Sequence, residues 1–236
     1  MKTMTVEEVV VHTQNVALPG DLVLPDAASG LVLFAHGTGS SRLSPRNRMV
    51  ASVLNEAGIG TLLFDLLAPE EDIGMTARFN IGLLADRLLA ATVSVASLAK
   101  RHQLCLGYFG ASTGAAAAIR AAARPPAGIR IAAVVARGGR VDLAGHEAIC
   151  ELRVPTLMIV GEADQAVLKV NARAAAWMQC GQRLEVVPGA THLFEEPGAM
   201  ERVAMLAAQW FRQHFAVAHG KFPDAAAPSR HEANHR

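Results

Sequence analysis

The 236-residue chain is poor in cysteine and in aromatic rings: it has three Cys, one Tyr and two Trp, and aromatics make up only 5% of it. Cys105, Cys150 and Cys180 are an odd number without paired spacing, which argues against a disulfide framework or a zinc site. Small buried thiols in a reducing cytoplasm are expected. An excess of one charge is also missing. The 22 Lys plus Arg against 21 Asp plus Glu leave a net charge of +1, so no summed field draws nucleic acid or an anionic membrane surface. Long uncharged runs are scarce too. The first thirty residues alternate apolar and polar and carry Glu7, Glu8 and Asp21, where an export signal needs an unbroken apolar stretch. The most apolar later stretch, 81–99, is interrupted by Asp86 and Arg87 and falls short of the ~18–20 uncharged residues of a membrane span. A cytoplasmic protein without nucleic acid or membrane partners is the expectation.

What is present is enough apolar material for a substantial core: 51% hydrophobic against 18% charged residues. Two alternating runs, 6–13 and 16–24, read as an antiparallel hairpin. Apolar runs of strand length then recur at 30–35, 60–66, 104–109, 129–136, 156–160 and 184–187, separated by segments long enough for helices. Alternating β and α in this way predicts an α/β fold, with a mostly parallel sheet covered on both faces. Ile81, Leu84, Leu88, Ala91, Val95 and Leu98 step at helical intervals and form one stripe to lie on the sheet. A last helix carries Val203, Leu206, Ala207, Trp210, Phe211 and His214 on one face, with Pro197 expected in its first turn. No internal repeat or second strand cluster marks a domain boundary, so 1–218 reads as one domain and 219–236, short of large apolar residues, as a flexible tail.

The chemistry centres on Gly110-Ala111-Ser112-Thr113-Gly114, a G-x-S-x-G lying directly after an apolar strand and directly before the helix-prone run 115–120. That order of strand, tight turn and helix exposes a serine hydroxyl on a strained turn and sets the N–H of Thr113 at a helix N-terminus, where it can receive an oxyanion. A serine hydroxyl is a weak nucleophile and requires a base with an orienting carboxylate. After the strand ending at Val160 comes Gly161-Glu162-Ala163-Asp164, and after the strand ending at Val187 comes Pro188-Gly189-Ala190-Thr191-His192. Ser112, Asp164 and His192 thus follow three strand ends, where open α/β sheets gather their ligands. Glu162 competes with Asp164, but being closer to the strand it is better suited to cap a backbone group. The loop Phe34-Ala35-His36-Gly37-Thr38-Gly39-Ser40-Ser41 is expected to supply the second oxyanion donor, the N–H of Thr38. A dinucleotide-binding reading of the same loop fails at its third glycine, where Arg42 stands.

Other pattern matches carry less. Ser97-Leu98-Ala99-Lys100 fits S-x-x-K but belongs to the amphipathic stripe, and no S-D-N or K-T-G accompanies it. His231-Glu232-Ala233-Asn234-His235 fits H-E-x-x-H but has no apolar face to support a third ligand. No metal and no cofactor is expected.

The hairpin, the HGTGSS loop, GASTG, GEAD and PGATHLFEEPG together resemble the α/β-hydrolase fold and, within it, the dienelactone-hydrolase-like group, over roughly residues 5–216. The resemblance implies a single-domain hydrolase with Ser112 as nucleophile, His192 as base and Asp164 as orienter. Dienelactone hydrolases proper carry cysteine at the elbow; serine here points to a carboxylesterase acting on esters or lactones of small to medium size. Caps in this fold commonly follow the strand that here ends near Ala136, and the short stretch before Thr156 leaves no room for a large one. Candidate pocket residues are Met75 and Phe79 in the 67–80 loop, Leu193 and Phe194 beside the base, and Arg42 and Arg137 near strand ends; core packing and structural ion pairs are their alternatives. Two further readings remain: a ligand-binding protein that keeps the fold without turnover, and acyl transfer or perhydrolysis by the same three residues.

Overall fold

The computed structural model describes residues 3–13 and 15–220. Eight strands form one sheet in the order β1-β2-β4-β3-β5-β6-β7-β8. The hairpin β1 (Met4–His12) and β2 (Ala17–Pro25) is antiparallel, and β2 runs antiparallel to β4 (Gly60–Phe64). From β4 onward the sheet is parallel: β3 (Gly30–Ala35), β5 (Cys105–Ala111), β6 (Ile131–Arg137), β7 (Thr156–Gly161) and β8 (Gln182–Val187). The central strands are buried along their whole length, as β-branched and aliphatic runs covered on both faces must be.

Two helices, α1 (Pro45–Glu56) and α7 (Ala199–Ala218), cover one face, packing with Phe34, Phe109, Val135 and Ile159. On the other lie α3 (Ile81–Arg101), α4 (Thr113–Ala123), the short α5 (His146–Glu151) and α6 (Gln165–Trp177). The α3 stripe is buried from Ile81 to Val95, with Leu98 partly buried at its end, and the chain's one tyrosine, Tyr108 on β5, reaches Thr92 of α3 at 2.7 Å. By length and composition alone α3 could cross a membrane. Here its apolar face lies on the sheet, and its buried Arg87 pairs with Glu71 at 2.8 Å and with Thr13.

Three expectations need correction. The 67–80 loop holds a short helix, α2 (Met75–Arg78). Pro197 lies outside α7, whose N-cap is Gly198 in the left-handed region at φ 81, so the helix starts two residues after the proline expected in its first turn. The exposed Gln182 and Arg183 belong to β8, an edge strand that begins two polar residues before the apolar run 184–187. Between β6 and β7 there is only a 3-10 turn (Val141–Ala144) and α5, so no large cap is inserted. Of the tail expected from 219, only His219 and Gly220 are described. His219 is anchored, its Nε2 lying 2.8 Å from the Ser29 carbonyl. The H-E-x-x-H at 231–235 lies outside the described residues.

The chain leaves β3 through α1 to β4 on one side and reaches β5 through α3 on the other, so β3 and β5 flank the point where strand order reverses. The loops after these two strands open the crevice in which such sheets bind ligands.

Candidate active site

Ser112 stands between β5 and α4 at φ 52 and ψ −118, in the strained conformation of a nucleophile elbow. Backbone bonds to the next strand hold it there: the Ser112 N–H donates to the Arg137 carbonyl at 3.0 Å, and the Arg140 N–H to the Ser112 carbonyl at 3.0 Å. The turn tolerates only glycine at its flanks. A Cβ on Gly110 would lie 2.5 Å from the Ala115 Cα, and one on Gly114 would run into the Ala35 and His36 carbonyls. Gly37 lets the loop after β3 approach Ser112, since a Cβ there would sit 3.1 Å from the Ser112 Cβ.

His192, in the loop after β8, lies between the other two groups. Its Nε2 is 3.2 Å from the Ser112 Oγ and its Nδ1 2.6 Å from the Asp164 Oδ2. The imidazole side chain is 38% exposed and its carboxylate partner 13%, so the pair is shielded beneath and open to solvent above. Asp164 uses its other oxygen to cap α6, accepting from the Val167 N–H. Glu162 turns away and accepts from the Gly189 N–H at 2.8 Å. Three residues separated by 80 and 28 positions in sequence therefore meet at one rim.

The oxyanion loop departs from expectation. The Thr38 N–H is already engaged, donating to the Thr113 Oγ1 at 2.9 Å. The two threonine hydroxyls are 3.0 Å apart, and the Thr38 hydroxyl also reaches the Arg78 carbonyl of α2 at 3.4 Å. The side chain on the helix-starting residue thus lies where a substrate oxygen was expected against Thr38. His36 braces this loop from below: its Nδ1 lies 3.1 Å from the Gly37 carbonyl, and its Nε2 accepts from the Leu66 N–H at 3.0 Å. That pattern fixes the Nδ1–H tautomer of a neutral ring. Burial pushes the His36 pKa below its ordinary value, against the Gly37 carbonyl and the carboxylates of Asp65 and Asp72, which act the other way.

The candidate pocket residues divide. Met75, Phe79 and Leu193 present large exposed apolar side chains, joined by Ile73 at 83% exposure and Leu43. Phe194 is not a pocket wall. It is 2% exposed, at φ 56, and its ring packs into the α1/α7 core with the Arg137 guanidinium 6.0 Å above it. Arg42 is occupied structurally: its guanidinium pairs with Asp65 at 2.8 Å and Asp21 at 3.5 Å, and its N–H also donates to Asp65. Arg137 is 7% exposed, and its Nε and Nη1 find no hydrogen-bond partner. Burial first, and then the charge of Arg46, bring its pKa down to about 10. The roomier hollows, about 410 and 520 Å³, lie away from this rim, one at the N-terminal ends of β5 and β6 and one between the hairpin turn and α3. Among the described residues no three His, Cys, Asp or Glu side chains gather as metal ligands.

The sheet order and the elbow, with an imidazole and a carboxylate gathered over it, define an α/β-hydrolase. A dienelactone hydrolase from Anabaena variabilis shares 49% identity, superposes with a TM-score of 0.84, and is matched over 89% of this chain and 98% of its own. The chain belongs to the dienelactone hydrolase family of α/β-hydrolases. Est1E from Butyrivibrio proteoclasticus has the same fold at 17% identity, with a TM-score of 0.72 over 89% of this chain and 99% of its own. No protein-family model matches the chain. Two Mycobacterium tuberculosis proteins, each bearing the provisional name phosphoribosyl transferase, are 53% identical over 208 residues, 88% of this chain. The chain spans 46% of those curated relatives, about half their length.

Proposed function

We propose that the chain is a serine hydrolase of carboxylic esters or lactones of small to medium size, working through an acyl-enzyme. The observation that carries this reading is the His192 ring, with one nitrogen 3.2 Å from the Ser112 hydroxyl and the other 2.6 Å from the Asp164 carboxylate. The Ser112 oxygen attacks the substrate carbonyl carbon while its proton passes to the His192 Nε2, and the carbonyl π pair moves onto oxygen. The Asp164 carboxylate holds the ring in the tautomer that presents a free Nε2 and offsets the imidazolium charge that forms. The free N–H of Thr113, on the first residue of α4, receives the developing oxyanion. Collapse of the intermediate breaks the carbon–alkoxide bond, and the alkoxide leaves with the proton from His192. Water then repeats the cycle on the acyl-enzyme and releases the acid.

Met75, Phe79 and Leu193 are exposed apolar side chains suited to contact compact acyl and alcohol groups. The phosphoribosyl transferase name of the mycobacterial relatives is not carried over, because the chain spans under half of them and a nucleophile with its base and orienter is suited to acyl chemistry. The experiment is labelling with a fluorophosphonate and hydrolysis of p-nitrophenyl acetate, by the chain and by Ser112→Ala. The substitution is expected to abolish labelling and lower kcat by at least about 10³-fold. Labelling that persists in Ser112→Ala rejects Ser112 as the nucleophile, and absence of turnover by the unaltered chain across short acyl esters and lactones favours a binding protein.

A further inference from the structure

β8 ends the sheet, with β7 on one side and no strand among the described residues on the other. The Gly181 and Val187 carbonyls accept from the Thr156 and Glu162 N–H groups, so the odd-numbered residues of this stretch turn their backbone groups toward β7. Gln182, Leu184 and Val186 then turn theirs outward. Among the described residues nothing pairs with their outward N–H and C=O groups. Such an edge accepts a further strand unless charge of one sign, proline or a bulge guards it. The opposite edge, β1, is guarded: Glu7 and Glu8 stand on it with no Lys or Arg on the strand, so a second copy paired there would gather four carboxylates. On β8 the charges balance. Arg183 and Glu185 share one face and pair with each other along the strand, Val186 is exposed on the other face, and the strand holds neither proline nor bulge.

We propose that the β8 edge is an interface with a second copy of this chain, the two strands pairing antiparallel about a two-fold axis through Leu184. Hydrogen bonding and charge select this register independently. An antiparallel pair sets outward residues opposite outward residues, and three two-fold registers overlap by more than one such residue, centred on residues 183, 184 and 185. Centring on 183 puts Arg183 against Arg183, and centring on 185 puts Glu185 against Glu185; like charges directly opposite are destabilising. Centring on 184 puts each Arg183 against the Glu185 of the other copy. These fall at the pairs that are not hydrogen-bonded, where side chains stand closer. Leu184 then lies on the axis, Gln182 stands across from the exposed Val186, and every outward N–H and C=O of both strands finds a partner. A contact of this kind is self-complementary and closes at two copies, each contributing its eight strands to one continuous sheet. Because the two β8 strands run in opposite directions, the rims carrying His192 face opposite ends of that sheet and each copy keeps its own site.

The test is sedimentation of the full chain between about 1 and 300 µM, where the mass is expected to rise from 24.9 kDa toward twice that value, as a small and reversible interface requires. Arg183→Glu and Glu185→Arg each set like charges opposite at both pairs, and each is expected to raise the dissociation constant at least about 10-fold. Mixing the two variants restores opposite charges throughout, so the mixture is expected to form heterodimers with a dissociation constant within about 5-fold of the parent. Residue-resolved amide exchange locates the contact: the N–H groups of Gln182, Leu184 and Val186 are expected to exchange at least about 10-fold more slowly at the highest concentration than at the lowest, while those of β1 do not change. If Glu185→Arg does not fold, Arg183→Glu and the amide measurement decide alone. A mass of 24.9 kDa at every concentration, or a dimer that Arg183→Glu leaves as tight as the parent, overturns the proposal. So does exchange of the three amides that is independent of concentration, and slow exchange at every concentration would mean that the edge is covered within one copy. Ester hydrolysis per chain is expected to be the same for monomer and dimer, so this interface stands or falls apart from the role of Ser112.

Discussion

Asp164 serves two structures with two oxygens, one on the His192 ring and one on the Val167 N–H that begins α6. Asparagine caps a helix about as well as aspartate but presents neither the charge nor the acceptor geometry that holds an imidazole in the reactive tautomer. Asp164→Asn is therefore expected to leave the thermal midpoint within about 2 °C of the parent while lowering kcat about 10⁴-fold, as read by calorimetry and ester hydrolysis on one preparation. Arg137 is the opposite case, a buried guanidinium with two orphaned donors and Arg46 for a charged neighbour. An unmatched buried charge costs stability, while its cation–π contact with Phe194 returns only about 0.5–2 kcal/mol. Arg137→Met should raise unfolding stability in urea by about 1 kcal/mol; a loss of that size would mean that ordered water satisfies the guanidinium. At this scale the sequence was legible where chain position decides chemistry: serine, carboxylate and imidazole each follow a strand end. It was silent where rotamers decide. Nothing in the residue order separates a Thr113 hydroxyl turned onto Thr38 from one turned to solvent, or Phe194 folded inward from Leu193 left outside.

The elbow is the element that the site depends on most, and it is built from close approaches that only glycine permits. Gly114 sits on the first turn of α4 against the carbonyls of Ala35 and His36, so a methyl group there must push α4 away from β3 and drag Ser112 with it. Backbone atoms cannot yield as a flexible side chain can. Gly114→Ala is expected to reduce hydrolysis by more than about 10²-fold and to lower stability by about 2–4 kcal/mol. Gly39→Ala, in the loop after β3, meets nothing within 4 Å and is strained only by its φ of 68°, for a cost nearer about 1 kcal/mol. Denaturation midpoints of the two variants side by side check the ordering; equal midpoints would mean that the elbow relaxes freely. Strands and long helices were readable because period and length speak together, as in the α3 stripe from Ile81 to Leu98. Short elements escaped. The four residues of α2 are too few to show a period, and they are held from outside, by Asp72 on the Arg78 guanidinium and by the Thr38 hydroxyl on its carbonyl.

Across the whole molecule, one buried and one half-buried histidine make the fold sensitive to acid. His36 lies beneath the loop after β3 and His214 lies on α7 with its ring 4.3 Å from that of Trp210; burial lowers both pKa values below the ordinary 6.5. The unfolded chain binds protons at these two positions near pH 6.5, while the native state resists them to lower pH. Between those limits the unfolded state holds more protons, so stability is full above about pH 6.5, falls as pH drops, and levels off once the native rings are protonated. The carboxylates act later. Asp142, held low by the Arg140 guanidinium, contributes stability that is present above about pH 4 and lost below it. The urea midpoint should therefore decline from pH 7.5 to 5, before the Asp142 carboxylate takes part, and His214→Leu, which keeps an apolar contact with Trp210, should make that decline shallower. A midpoint unchanged over this interval would show that neither ring is shielded in solution. Because His36 accepts the Leu66 N–H through the nitrogen that would take the proton, its protonation also loosens the loop that carries Thr38. Hydrolysis measured at a pH just above the onset of unfolding should then fall as the His36 ring takes its proton, and it should recover fully when the pH is returned to 7.5.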